Sequence, residues 1–561
     1  MSEYKNNILI VSFISFVFSF EVSNAVNKNG MVVCSKHDAA QIGVDILKRG
    51  GNAVDAAVGV AFALAVTHPS AGNIGGGGFM VIRFADGDVT TIDFREKAPS
   101  SAYRDMFLDS KGNVIPGKSR YTSWSVGVPG TVYGLGYAHQ KYGSLDWDSL
   151  VYPAVSLAKF GFKLDFHNIM ILNSDRYRAL LSNDAVSKLI FTKDNKFEIN
   201  ELFIQKDLSQ TLSRIAKYGF REFYEGKTAD HILKCMNRTD GLITKNDLKN
   251  YNIEERKAIE FSYRGHRIYS MPPSSSGGIT LALILNQLEN YNVKELGFHS
   301  SKHVHLFSEV EKRAYADRAN FLGDMDFVDI PIETLISKEY AFERSSKIKL
   351  KKTTSSNKIK HGEIIYDEQE ETTHFSIVDN YGNAVSLTTT INGWYGSGIT
   401  VDEAGFVLNN EMDDFSSKPG EPNMYGLVGS HANSIEPDKR MLSSMTPTIV
   451  ENPEGNLFLV LGTPGGSTII TTIAQIITNI IDFDMSLKES VESKRFHHQW
   501  LPDVIQIEKN SLGKDVIDNL ILYGHDIKYR SSIGEANCIL INRNLKFGCS
   551  DSRRGSVAIG Y

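Results

Sequence analysis

Thr372-Thr373-His374-Phe375-Ser376-Ile377-Val378-Asp379 is the stretch on which the reading of this chain turns. Its side chains alternate as they do along a β-strand. Asn380-Tyr381-Gly382-Asn383 follows as a turn, and Ala384 to Thr390 reads as the returning strand, so the segment is a hairpin. What precedes it differs in kind. Ser345 to Lys360 is rich in Lys, Ser, Thr and Asn and reads as a solvated loop. Asp367-Glu368-Gln369-Glu370-Glu371 carries that polar character up to Thr372. A polar segment that stops abruptly at Thr-Thr and a buried-looking hairpin is the pattern of a chain cut at that point, with Thr372 as a new N-terminus.

A threonine at an N-terminus has chemistry that an internal one lacks. A hydroxyl is a weak nucleophile until a base takes its proton. A free α-amino group titrates near ~8 and supplies that base from the same residue. The hydroxyl can also attack the Glu371 carbonyl first, and an N-to-O acyl shift followed by hydrolysis would release the terminus.

Towards the N-terminus, Asp38 to Ala65 reads as helical, broken by Gly50-Gly51-Asn52 and stopped by Pro69. Its second half carries Ala53, Ala56, Ala57, Gly59, Ala61 and Ala63, which suit close packing. Two strands, Phe79 to Phe84 and Val89 to Phe94, turn at Asp86-Gly87-Asp88 and end at Arg95. Gly75 to Gly78 precede a strand and lack a following Gly-Lys-Ser/Thr, so they read as a close backbone approach rather than a phosphate loop. Leu145 to Ala341 alternates helices with short strands, and Pro272 to Gly278 is a turn before a helix. Lys418 to Gly429, rich in Pro and Gly, reads as a long loop.

The 561 residues are 42% hydrophobic and 22% charged, with a net charge of −6, which describes a globular chain and gives no reason to expect a nucleic-acid partner. Four cysteines without a Cys-x-x-Cys pair exclude a disulfide-built scaffold and give no support to zinc or thioredoxin-type chemistry. Lys5, the apolar run Ile8 to Phe20 and Ser23-Asn24-Ala25 read as a secretory signal, residues 1–25, cleaved after Ala25. The other reading is a retained anchor, although the run is shorter than the ~20 residues of a spanning helix. Export leaves room for disulfides. Cys538 and Cys549 would face each other in a hairpin centred on Asn542-Arg543-Asn544, as a bridge or as two core thiols.

Several ordered segments together resemble the γ-glutamyltransferase family of N-terminal-nucleophile hydrolases. They are Gly50-Gly51-Asn52-Ala53-Val54-Asp55-Ala56-Ala57, Gly72 to Gly78, Asp93-Phe94-Arg95-Glu96-Lys97-Ala98-Pro99, Thr372-Thr373-His374, Asn409 to Phe415, Ser443-Ser444-Met445-Thr446-Pro447, Thr463-Pro464-Gly465-Gly466-Ser467 and Arg495 to Trp500. The likeness implies an α+β fold, a four-layer αββα sandwich. One catalytic unit would be assembled from a large fragment, residues 26–371, and a small one, residues 372–561.

The resemblance also implies roles. Thr372 is the nucleophile and Thr390 the partner of its hydroxyl. Gly465 and Gly466 donate backbone N–H groups to the oxyanion. A γ-glutamyl group carries an α-carboxylate and an α-ammonium, so an anion site and a cation site must lie side by side. Arg95 suits the carboxylate, with Ser443 and Ser444 adding hydroxyls, and Asp414 suits the ammonium, helped by Glu411 and Asn392. The Lys418–Gly429 loop becomes a lid, with Tyr425 as its shielding aromatic. His374, His497 and His498 read as structural, and neither metal nor cofactor is expected. The expected donors are glutathione-like and the acceptors are water, amino acids or dipeptides. The rival readings are an acylase of the same machinery acting on poly-γ-glutamate or cephalosporin-type amides, and a precursor that never matures and serves as a binding protein.

Overall fold

The hairpin forms as its alternation requires. Thr373–Val378 pairs antiparallel with Ala384–Thr390, with Phe375 opposite Leu387. The computed structural model describes residues 23–359 and 372–561. Within it the hairpin is the centre of a seven-stranded sheet. The order across that sheet is Val557–Gly560, Met31–Cys34, Thr373–Val378, Ala384–Thr390, Gly77–Arg83, Val89–Asp93, Glu254–Arg256. A second seven-stranded sheet runs Asn24–Asn27, Leu545–Ser550, Asn537–Asn542, Leu457–Gly462, Thr448–Glu451, His266–Ser270, Ile259–Tyr263.

Period-two alternation decides what each face meets. Phe375, Ile377, Val385 and Leu387 point outward into a core shared with Met80 and Ile82, covered by helices that include His37–Lys48, Ala53–Thr67 and Trp147–Phe160. The opposite face carries His374, Ser376, Val378 and Ser386 towards the second sheet. There Val378 joins Val460 and Ile539 in a thin apolar layer. The hydroxyls span the gap: Ser376 Oγ donates to the Asn537 carbonyl at 2.9 Å and Ser386 Oγ to the Leu461 carbonyl at 3.0 Å. Beyond the second sheet, Leu459 and Leu461 pack beneath helices Gly277–Leu288, Ser301–Phe321 and Thr468–Ile481. The result is the expected αββα sandwich, its layers held by large side chains worth about 1.5–3 kcal/mol each on burial.

The small-residue helix is buried along its whole length, and its N-terminus is fixed by Asn52, whose Oδ1 accepts from Val54 N and Asp55 N while Asn52 N donates to Asp55. At Gly76 a side chain would collide with the Thr390 carbonyl, so the glycine loop lies directly against the end of the hairpin.

One expectation is corrected. Part of the polar stretch 345–360 is docked rather than solvated. Lys312 Nζ donates to Thr353 Oγ1 at 2.7 Å, Thr354 N donates to Glu309 at 3.0 Å, and Ser356 N donates to Asp503 at 2.8 Å. The buried charges of helix Ser301–Phe321 need partners, and this stretch supplies them. Cys538 and Cys549 are register partners as expected, and both are free, buried thiols. Most of the expected signal, residues 1–22, lies outside the described residues, as do 360–371 with the acidic run and Glu371. The last residues of that signal are seen: Asn24 and Ala25 pair with Cys549 and Gly548.

Candidate active site

Thr372 stands at the foot of the central hairpin, where the glycine loop, the loop after Thr390 and the turn before helix Thr468–Ile481 converge. It is buried, and one small cavity gathers it with Arg95, Thr390, Asn392, Glu411, Asp414, Tyr425, Ser443, Ser444 and Gly466. These are the residues expected from sequence. Gly465 lies immediately behind Gly466. The free volume is about 20 Å³, room for one water-sized sphere and too little for a glutamyl group.

The reaction end of the cavity is built from hydroxyls and backbone. Thr390 Oγ1 accepts from Asn392 N at 2.8 Å, which holds the turn out of the hairpin. Asn392 sits at φ +67 and donates its side-chain amide to the Asn410 carbonyl at 3.0 Å. Gly466 adopts φ +52, a left-handed conformation that favours glycine, and any side chain there would strike the Tyr425 ring. The carbonyls of Gly465 and Gly466 accept from Thr468 N and Ile469 N as the helix begins. Neither glycine N–H has an acceptor among the described residues.

The other end is ionic. The Val89–Asp93 strand delivers Arg95, whose N–H donates to Asp93 Oδ1 at 3.0 Å and whose carbonyl accepts from Tyr251 at 2.9 Å. Its guanidinium lies 2.6 Å from Glu411 Oε2, 2.6 Å from Asp414 Oδ2 and 3.5 Å from Glu96 Oε2. The residues expected to bind opposite charges of a ligand are therefore paired with each other. Burial pushes Asp414 up to about 6 and Glu411 well above the usual carboxylate range, with Arg95 pulling against it in both cases. Burial also opposes the Arg95 charge, but Glu411, Glu96 and Asp414 outweigh it and raise its pKa.

Ser443 and Ser444 are held by the turn that follows Pro272: Ser443 N donates to the Ser274 carbonyl at 2.9 Å and Ser276 N donates to the Ser443 carbonyl at 2.8 Å. Arg318 was not anticipated. It comes from helix Ser301–Phe321, lines the same cavity, and donates to Ser276 Oγ at 2.9 Å and Ser444 Oγ at 3.2 Å. Glu96 was likewise missed; burial raises its pKa, and neither carboxylate oxygen has a hydrogen-bond partner among the described residues.

The Lys418–Gly429 loop closes the cavity. Tyr425 Oη donates to the Asn392 carbonyl at 3.2 Å, Asn423 donates to Asp414 Oδ1 at 3.0 Å, and Met424 N donates to Asp413 at 2.8 Å. His374 fills the space over Gly462, bonded to Thr388 and Ser376 and kept neutral by burial, with its pKa lowered to about 3. His497 and His498 are buried and lowered to about 3 and about 4. Among the described residues no group of three His, Cys, Asp or Glu side chains is arranged to hold a metal.

Residues 39–561 match the family described as gamma-glutamyltranspeptidase. The chain belongs to the γ-glutamyltranspeptidase family. Relatives within it include the glutathione hydrolase proenzymes of Escherichia coli, 46% identical over 95% of this chain and 92% of the relative, and of Pseudomonas aeruginosa, 42% identical over 94% of each. A solved Helicobacter pylori γ-glutamyltranspeptidase chain is 44% identical with a TM-score of 0.57, covering 58% of this chain and 93% of its own. Beyond the transpeptidases, a Bacillus halodurans cephalosporin acylase has a TM-score of 0.82 over 98% of this chain and 99% of that one; at 24% identity the likeness bears on the fold alone.

Proposed function

We propose that the chain is a precursor that cuts itself between Glu371 and Thr372 and then transfers γ-glutamyl groups from glutathione or related donors to water, or to an amino acid or dipeptide. The observation that carries this reading is the single cavity that holds Thr372, Gly466 and the Arg95–Asp414 pair. A γ-glutamyl head group is a zwitterion. Inserted between Arg95 and Asp414, its carboxylate takes the guanidinium and its ammonium takes the Asp414 carboxylate. One internal ion pair is exchanged for two, and no buried charge is left alone. Ser443 and Ser444 flank the carboxylate and Glu411 the ammonium.

Thr372 Oγ then attacks the γ-amide carbon while its own α-amino group takes the proton. The Gly465 and Gly466 N–H groups, without acceptors among the described residues, are supplied for the oxyanion. The C–N bond breaks, the proton passes to the departing amine, and a γ-glutamyl ester remains on Thr372. Water or an acceptor amine attacks that ester and regenerates the hydroxyl. The closed lid has to open for donor entry, because the free volume beneath it is too small.

The residue 1–25 leader supports export to the periplasm or medium, and none of the described helices is long and apolar enough to cross a membrane. The two fragments would stay together as a heterodimer, since their strands share both sheets. N-terminal sequencing and intact masses test the reading. Wild type should give fragments beginning near Val26 and at Thr372. Thr372→Ala should remain one chain and lose activity towards a γ-glutamyl anilide by about 10⁴-fold or more. An uncut wild-type chain that is nonetheless active would overturn the N-terminal threonine mechanism.

A further inference from the structure

The segment Arg495 to Trp500 holds two buried histidines and a buried glutamine that the reaction does not use. It begins on the short strand Phe496–His497, paired with Ile505–Glu508, and its main chain is fixed on several sides. Gln475 Nε2 donates to the Phe496 carbonyl at 2.7 Å, His498 N donates to Glu311 at 2.8 Å, and Trp500 Nε1 donates to the Ser356 carbonyl at 3.1 Å. Gln499 stands on this fixed base and faces the loop Lys418–Gly429. Its Nε2 donates to the Tyr425 carbonyl at 3.1 Å and to the Leu501 carbonyl at 3.3 Å.

The partners of Gln499 leave it one orientation. Two carbonyls on one side require the amide nitrogen there, so Oε1 lies on the other side, 2.9 Å from His497 Nε2. An amide oxygen only accepts, and His497 therefore carries its proton on Nε2. Its buried Nδ1 then needs a donor, and the Thr471 hydroxyl stands 2.8 Å away, closer than the Thr468 carbonyl at 3.1 Å that competes for the same hydrogen. Thr471 lies one turn into helix Thr468–Ile481. At the start of that helix Thr468 Oγ1 donates to the Gly465 carbonyl at 2.9 Å. Tyr315 packs edge-on against the His497 ring at 5.7 Å and donates to the Ser467 carbonyl. The loop over the cavity is thus registered, through His497 and Gln499, on the helix that places Gly465 and Gly466.

We propose that Gln499 is a positioning residue that tethers the main chain of the lid at Tyr425. The lid then has two independent holds at one residue: Tyr425 Oη on the Asn392 carbonyl, and the Tyr425 carbonyl on Gln499. The second hold acts on the backbone, so it survives any change of the ring. It keeps the Tyr425 ring against Gly466, where it covers the ester that forms on Thr372. Water needs no ordered pose and reaches that ester whenever the lid parts, whereas an acceptor amine must be held in line with it. Loosening the tether therefore favours hydrolysis over transfer. The proposal rests on the γ-glutamyl reading above.

The test uses the mature protein with a γ-glutamyl anilide and glycylglycine, and measures the ratio of glutamate to γ-glutamyl-glycylglycine formed. Both products come from one ester, so the ratio does not depend on how much of the preparation is folded. Gln499→Met keeps the bulk and removes the donor. It should shift the ratio towards hydrolysis by about threefold or more, and should speed amide hydrogen exchange within residues 418–429 while the strands of the two sheets exchange as before. Gln499→Glu sets a carboxylate against the two carbonyls. It should shift the ratio further, and the excess should shrink as pH falls and protonation returns a donor. An unchanged ratio in both variants would overturn the tether and leave the γ-glutamyl reading intact. So would amide exchange that accelerates everywhere alike, since that is the mark of a residue that only supports the fold. A wild-type protein that releases no anilide would sink the γ-glutamyl reading, and this proposal with it.

Discussion

Two buried ionic clusters in this molecule are made of the same side chains and do opposite things. In one, Arg495 and Arg553 face Asp551 and Glu508. Arg553 Nε lies 2.6 Å from Glu508 and Nη1 2.9 Å from Asp551, and Arg495 Nη2 lies 2.7 Å from Asp551. Backbone finishes the set, with Ala536 N donating to Asp551 and Ile533 N to Glu508. Two cations meet two anions. Burial alone would raise both acids, and their arginines more than reverse it, holding both below the usual range. In the other cluster one guanidinium, Arg95, touches three carboxylates, and the acids are pushed up. The balanced cluster is finished and holds the C-terminal strands. The unbalanced one has fewer cations than carboxylates in direct contact, a deficit that the ammonium of the proposed γ-glutamyl donor would reduce.

The largest effects should separate the two clusters. Asp551→Ala strips a completed network and should cost about 3–5 kcal/mol of stability, read as a lower urea midpoint. Asp414→Ala should lower kcat/KM for donor by roughly 30- to 4000-fold, the equivalent of about 2–5 kcal/mol, with little change in that midpoint. An equal loss of stability in both would break the contrast. Arg318→Met comes next: loss of a charge-assisted donor to the serines should raise donor KM by about tenfold or more.

A pH profile sharpens the comparison. Asp414 in the fold titrates at about 6, above its ordinary value, so the folded chain keeps a proton that the unfolded chain releases. Its contribution to stability therefore falls as pH rises from the ordinary carboxylate range through about 6. Ammonium recognition needs the ionised form, so donor kcat/KM should climb over the same interval, and Asp414→Asn should lose that limb. The smallest effect belongs to the lid. Tyr425→Phe removes one neutral hydrogen bond, about 1 kcal/mol, and should change the ratio of hydrolysis to transfer by a few-fold at unchanged stability.

The hairpin and the small-residue helix were legible because alternation and composition act locally. Arg95, Asp414 and the two glycines became legible through resemblance; as isolated residues they are indistinguishable from surface charges and turn formers. Arg318 left no signal of either kind. In a 21-residue helix with charges on every side, an arginine reads as solvent-facing, and only the packing of that helix beneath Ser443 and Ser444 turns it inward. The stretch 345–360 misled for the complementary reason: its hydroxyls look solvated until Glu309 and Lys312, buried and distant in sequence, claim them.

The strand order carries one more consequence. Met31–Cys34 lies between Val557–Gly560 and Thr373–Val378, and Gly77–Arg83 borders Ala384–Thr390, so strands from both sides of Thr372 are interleaved in the sheet. If the proposed cut before Thr372 is made, folding before it is a unimolecular event. After it, the reverse of unfolding is an encounter between two separate polypeptides, and the native state becomes dependent on concentration. At low protein concentration that encounter is rare. The mature protein is then assembled once, and its working lifetime is set by how slowly the interleaved strands come apart rather than by an equilibrium.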